Sequence, residues 1–185
     1  MSVVRAHVEE PNIMEAFYYC CEHLPDIGQT IVGEALTTEY VKTSQPNEFV
    51  ATVMSSFAQT HFFKQLRADL KCSYPMYKKT PSNTLYDWHV DGLPDNLSRR
   101  KCSINIPLTV SEHAGVFFRT ALEGTFYNVH RAKYVLYKPT LLNVSHEHCV
   151  INDSDSDRIV LNLSINYFSY TDTVEYFKNL RLDDY

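Results

Sequence analysis

Arg158-Ile159-Val160-Leu161-Asn162-Leu163-Ser164-Ile165-Asn166 alternates without a break. Ile159, Leu161, Leu163 and Ile165 fall on one side, and Arg158, Val160, Asn162, Ser164 and Asn166 on the other. A period of two is the signature of a strand, and an all-apolar side is one that packs on a core. The other side is polar except for Val160, and an arginine heads it. In a plain two-layer sandwich that side faces solvent. With Arg158 at its head it can instead line a wet cavity, and the sequence leaves both readings open.

Upstream, from about residue 74, short runs of the same kind are separated by turn residues. Leu85–Asp91, Cys102–Val110, Gly115–Arg119, Thr125–His130, Tyr134–Tyr137 and Leu141–Val150 are predicted strands, and Gly92-Leu93-Pro94-Asp95-Asn96 is a loop by composition. So many short strands in so little chain imply a β-sandwich or barrel. Pro11–Leu24 predicts a helix from the spacing of Ile13, Phe17, Cys20, Cys21 and Leu24. Phe57–Leu70 predicts another, with Phe57, Phe62, Phe63, Leu66 and Leu70 as its apolar stripe. Glu34–Thr43 and Glu48–Val53 read as strands, and Thr171–Leu180 as a closing helix capped by Thr171 or Asp172. The expected architecture is one mainly β domain over residues 1–185. Residues 1–75 form a helical or mixed layer, 76–170 the β core and 171–185 a helix and tail, with helices packed on one sheet.

The chain has 185 residues, 44% hydrophobic and 21% charged, the composition of a soluble globular domain. A net charge of −5 argues against partners that need a basic surface, so no nucleic-acid or anionic-membrane partner is expected. Met1–Glu10 has no continuous apolar region of the kind an export signal needs, and no run is long enough to span a membrane. Cys20, Cys21, Cys72, Cys102 and Cys149 are odd in number and contain no C-x-x-C pair. They are expected to be reduced thiols, which suits a cytoplasmic protein.

The chemistry concentrates in two places. In Tyr86-Asp87-Trp88-His89-Val90-Asp91-Gly92, His89 and Asp91 stand two apart, so on a strand both can reach one metal ion. Two histidines and a carboxylate on one face of an ion, with the other face open, suit non-haem Fe(II) chemistry. The third ligand has to come from Asn143-Val144-Ser145-His146-Glu147-His148-Cys149-Val150-Ile151-Asn152. His146 and His148 both offer themselves, and the spacing to Arg158 favours His148. On a hairpin-like unit His148 and Arg158 would both face inward. Arg158 would then meet the distal carboxylate of a dicarboxylate chelating the metal, through two parallel hydrogen bonds.

His89 and Asp91, the distant His148, Asn152 four residues on and Arg158 ten residues on resemble the 2-oxoglutarate/Fe(II) dioxygenases. More narrowly, Asn143, His148, Val150, Asn152 and Arg158 resemble the aspartyl/asparaginyl β-hydroxylase-like branch and small bacterial and phage relatives. The resemblance spans about residues 85–168. It implies a double-stranded β-helix (jelly-roll, cupin-like) core, Fe(II) on His89, Asp91 and His148, 2-oxoglutarate on Arg158, and O2 as oxidant. The implied reaction converts 2-oxoglutarate to succinate and CO2 and hydroxylates a C–H bond of an amino-acid-like or peptidyl substrate. Two departures stand out. Some members of the β-hydroxylase branch lack the carboxylate that is present here as Asp91. A serine common two residues after the arginine is here Val160, so Ser103, Asn105 or Tyr86 is the expected further cosubstrate contact.

Two other classes fit the same residues. A cupin-like isomerase or lyase would use the metal without 2-oxoglutarate, and a binding module would keep the sandwich without turnover. Around the site, Trp88 reads as a packed aromatic and Arg119 as a residue of the pocket mouth, while Arg99 and Arg100 read as part of a solvated loop, in a place where relatives of the resembled family sometimes bind substrate or cosubstrate carboxylates. His113 and His130 read as exposed or structural residues. Asp153, Asp155 and Asp157 lack the glycine and glutamate of a calcium loop and read as a solvated turn.

Overall fold

A computed structural model describes residues 13–53, 55–91, 100–122 and 125–182. Eleven strands form two antiparallel sheets. The larger has seven strands in the order β1-β9-β6-β11-β4-β3-β2, built from β1 (Tyr18–Cys20), β2 (Val41–Lys42), β3 (Phe49–Thr52), β4 (Met76–Thr80), β6 (Cys102–Pro107), β9 (Thr140–Leu142) and β11 (Arg158–Ile165). The smaller runs β5-β10-β7-β8, from β5 (Thr84–His89), β7 (Ala114–Ala121), β8 (Tyr127–Arg131) and β10 (His148–Asn152). Two facing antiparallel sheets with helices on the outside of one of them are the expected double-stranded β-helix.

Among the described residues four α-helices accompany the sheets: α1 (Val32–Thr37), α2 (Ser55–Ala58), α3 (His61–Leu70) and α4 (Tyr170–Asn179). The main core lies between them and the large sheet. Ile104, Ile106, Leu161, Leu163 and Ile165 from the strands meet Phe62, Leu66, Val174 and Phe177 from the helices, all buried. The apolar side of the 159–165 alternation therefore packs on helices. Its polar side faces the small sheet across an interior cavity, which decides the question the sequence left open. Only a smaller apolar cluster, including Phe17, Val116, Phe118, Leu142 and Val144, fills the space between the sheets. The rest of that space is free to be polar.

Several local expectations change. Residues 13–24 do not form the expected helix: Ile13–Ala16 make a 3₁₀ turn and Tyr18–Cys20 pair with β9, while Pro11 and Asn12 lie outside the described residues. Phe17 packs between the sheets while Cys21 and Leu24 pack on the helix side, so the helical spacing arises from residues that serve two different cores. Of residues 34–43, the first four close α1, and only Val41–Lys42 are in a strand. The 57–70 helix is broken at Gln59–Thr60, where Thr60 accepts from the amide of Phe63 and caps α3. Tyr134–Tyr137 is not a strand, and 141–150 is two strands in different sheets. The closing helix is capped by Ser169, two residues before Thr171.

His148 and Arg158 are not on a hairpin. β10 pairs with β5 and β7, whereas β11 pairs with β4 and β6, so the turn between them is a corner crossing from one sheet to the other. Asn152 fixes that corner. It is fully buried, and its amide nitrogen donates to the carbonyls of Thr80, Pro81 and Ser156, each at 2.9 Å. The two residues thus face one cavity from opposite walls.

Candidate metal and dicarboxylate site

The cavity between the sheets has a volume of about 550 Å3 and is lined on one wall by His89, Asp91 and His148 and on the other by Arg158, Val160 and Asn162. His89 reaches it through an irregularity in β5. His148 pairs with His89 and Val150 with Tyr86, so β5 spends three residues where β10 spends two. A bulge re-aims the side chains that follow it. Tyr86 and His89 consequently both face the cavity, with Trp88 turned to the outside. Asp91 follows the strand end, where its amide donates to the carbonyl of Val144 at 3.1 Å.

The three side chains converge. One ligand atom from each of His89, Asp91 and His148 lies within 4.8 Å of the other two, the only such cluster among the described residues. Oδ1 of Asp91 is 3.3 Å from Nε2 of His89 and 3.7 Å from Nε2 of His148. Nδ1 of His89 is bonded to the carbonyl of Asp87 at 2.7 Å, and Nδ1 of His148 to that of His146 at 2.8 Å. A carbonyl only accepts, so each Nδ1 carries the hydrogen and each Nε2 presents a lone pair when the ring is neutral. That is the tautomer a metal needs, held by a backbone group behind each ring. The donor set and its convergence fit a divalent cation bound on one face.

Charge is arranged to match. Burial pushes the Asp91 carboxyl up, but its hydrogen bond with His89 and the charge of Arg100 outweigh this and hold it at about 2. Burial pushes His89 down, but its bonds to Asp91 and to the Asp87 carbonyl leave its pKa raised. Burial holds His148 below the ordinary histidine value. His146 is exposed, precedes β10 and stands edge-on to Phe17 at 5.1 Å, outside the converging cluster.

Arg158 is 6% exposed, and among the described residues no carboxylate is paired with it. Its partner is Tyr134, whose hydroxyl accepts from Nη2 at 3.2 Å. That hydroxyl also accepts from Nδ2 of Asn105 at 2.8 Å. Asn162 continues the chain, donating to Ser103 Oγ at 2.7 Å and to Asn105 Oδ1 at 2.6 Å. Ser103, Asn105 and Tyr86 all line the cavity, as the sequence suggested, and Val160 sits among them.

Two residues escaped the sequence reading. Tyr134 lies in an irregular segment 24 positions before Arg158, and no local pattern links the two. Arg100, read as solvated, is half-buried and donates to Oδ2 of Asp91 at 2.9 Å. Its neighbour Arg99 lies outside the described residues. Arg119 is not at the pocket mouth, because it points away from the cavity and pairs with Glu147. His130 stacks on Phe17, while His113 is exposed beside Glu112. Asp157 pairs with Lys79 at 3.5 Å in an otherwise exposed turn. All five cysteines are free, and among the described residues no helix is long and apolar enough to cross a membrane.

No protein-family model and no curated protein matches the chain. Solved structures do match its fold. A prolyl-4-hydroxylase from Pseudomonas putida superposes with a TM-score of 0.59 at 16% identity, over 82% of this chain and 93% of that one. An oxidoreductase of the 2OG-Fe(II) oxygenase family from Burkholderia pseudomallei gives 0.57 at 12% identity, over 84% and 88%. HygX from Streptomyces hygroscopicus, solved with nickel, 2-oxoglutarate and hygromycin B, gives 0.57 at 12% identity, over 85% and 87%.

Proposed function

We propose that the protein is an Fe(II)- and 2-oxoglutarate-dependent dioxygenase that hydroxylates a C–H bond. The observation that carries this reading is Arg158. A guanidinium buried without a counter-charge is costly, and a dicarboxylate that reaches from it toward the three ligands would supply that charge. His89, Asp91 and His148 would hold the iron. With 2-oxoglutarate and O2, bound iron supplies an oxidation whose sum is succinate, CO2 and one oxygen atom inserted into a C–H bond. The chain's own part is to position. Tyr134 and Asn105 orient the Arg158 end of the cavity, Asn162 and Ser103 line its floor, and Val160 excludes water beside them.

The fold shared with HygX, which was solved with nickel and 2-oxoglutarate, supports the cosubstrate assignment. Within the superfamily, the run from Asn143 through His148, Val150 and Asn152 to Arg158 supports the β-hydroxylase-like branch. The polar cavity mouth, with the Glu48–Lys78 pair and Arg100, suits an amino-acid-like or peptidyl substrate. Five free thiols suit a reducing compartment, and we place the enzyme in the cytoplasm. Under anaerobic conditions Fe(II) and 2-oxoglutarate together should give a visible charge-transfer band that neither gives alone. Admitting air should then yield succinate slowly even without substrate. Metal-loaded protein showing neither would be assigned to a cupin-like reaction without 2-oxoglutarate.

A further inference from the structure

On the outer surface of the small sheet, opposite the cavity, one residue from each strand or its end joins a single cluster: Trp88 from β5, Glu147 at the start of β10, Arg119 from β7 and Tyr127 from β8. Arg119 is its centre. Its Nε donates to Oε2 of Glu147 at 2.7 Å and its Nη2 to Oε1 at 2.5 Å, a two-pronged pair. Its Cζ lies 4.5 Å from the ring centre of Trp88 and 4.4 Å from that of Tyr127. Its backbone amide also donates to the carbonyl of Glu147 at 3.2 Å.

Two of its three partners are next to the residues read as metal ligands: Trp88 precedes His89 and Glu147 precedes His148. Trp88 also sits within the irregular step of β5, where Asp87 and Trp88 together oppose Cys149. A bulge residue lacks ordinary ladder partners, and a one-residue slip there would turn His89 to the wrong face of the sheet. Anchoring Trp88 outward is therefore equivalent to holding His89 inward. We infer that Arg119 is a positioning residue: by tying Trp88 and Glu147 together behind the sheet, it sets the placement of the His89 and His148 imidazoles in front of it.

This inference rests on the reading of His89, Asp91 and His148 as metal ligands, and its test separates the two. The full chain is titrated with Co(II), followed by visible absorption, and its thermal midpoint is measured without metal. The pair is half-buried at the surface, where ion pairs contribute little to global stability, so Arg119→Met should keep the metal-free midpoint close to wild type. Its Co(II) dissociation constant should rise about 10- to 100-fold, the usual effect of losing a group that orients a ligand. Arg119→Lys should fall between, because an ammonium keeps the charge but loses the planar fork. Glu147→Gln gives an independent route to the same loss should Arg119→Met fail to fold. A wild type that takes up no Co(II) removes the metal site and this role with it. A wild type that binds Co(II), with Arg119→Met or Glu147→Gln binding it within twofold, overturns the positioning role alone.

Discussion

Arg100 and His89 divide one carboxylate between them: Oδ2 of Asp91 accepts from Nη1 of Arg100 at 2.9 Å, and Oδ1 faces Nε2 of His89 at 3.3 Å. The side of Asp91 turned to Arg100 is thereby fixed, and the side turned to the imidazoles has one orientation. Arg100→Gln should weaken metal binding about tenfold or more, as loss of a ligand's hydrogen-bonding partner generally does. Mn(II) binding followed by electron paramagnetic resonance measures it, and unchanged affinity would mean that Arg100 does not orient the carboxylate.

The ligands themselves should behave differently from their neighbour. His89→Ala, Asp91→Ala and His148→Ala should each abolish tight binding of one Fe(II) per chain, whereas His146→Ala should retain it. Loss of iron in His146→Ala with retention in His148→Ala would reverse the assignment that β10 makes through His148.

Metal affinity should depend on pH through one proton on His89, lost above the ordinary histidine value. The pKa of His89 is raised above 6.5 and that of His148 is lowered below it, while Asp91 sits at about 2. Metal displaces a proton from a ligand that carries one. As pH falls through the raised His89 value, affinity should therefore drop about tenfold per pH unit, and above that value it should level off. A second proton should enter only at more acid pH, below the lowered His148 value. Binding titrations across this range test the slope, and a slope of two at neutral pH would contradict the assigned protonation states.

Asn152 ties the corner between β10 and β11 and with it the relation of His148 to Arg158. Asn152→Ala removes the buried amide that joins the carbonyls of Thr80, Pro81 and Ser156, at a cost of about 2–4 kcal/mol. For a chain of this length that is a fall in thermal midpoint of roughly 5–15 °C. Asn152→Asp should be no better, since a carboxylate offers those carbonyls no donor. Calorimetry of both variants checks this, and midpoints near wild type would show that the turn holds without Asn152.

How much of this was legible in the sequence follows from where each signal lies. The period-two pattern of 158–166 identified a strand and its core face, because alternation is a local property of the chain. The convergence of His89, Asp91 and His148 was readable because His89 and Asp91 are two residues apart and His148 stands at a fixed remove from Arg158. The corner at Asn152 was not, since a turn that crosses between sheets looks like a hairpin until the pairing partners are known. The helix expected over 11–24 failed because Phe17 and Leu24 face different cores, and a single-helix pattern assumes one. Tyr134 as a partner of Arg158, and Arg100 as a partner of Asp91, could not be read because only the folded sheets bring these pairs together.

The central claim is that Arg158 binds the distal carboxylate of 2-oxoglutarate, and isothermal titration of 2-oxoglutarate into Mn(II)-loaded protein tests it most directly. Removing the arginine from a buried carboxylate costs on the order of 3–5 kcal/mol. At about 1.4 kcal/mol per tenfold, Arg158→Ala should bind 2-oxoglutarate roughly a hundred- to several-thousand-fold more weakly than wild type. Mn(II) affinity should be unchanged, and Arg158→Lys should lie between the two. An Arg158→Ala protein that holds Mn(II) and binds 2-oxoglutarate within a few-fold of wild type would contradict the assignment.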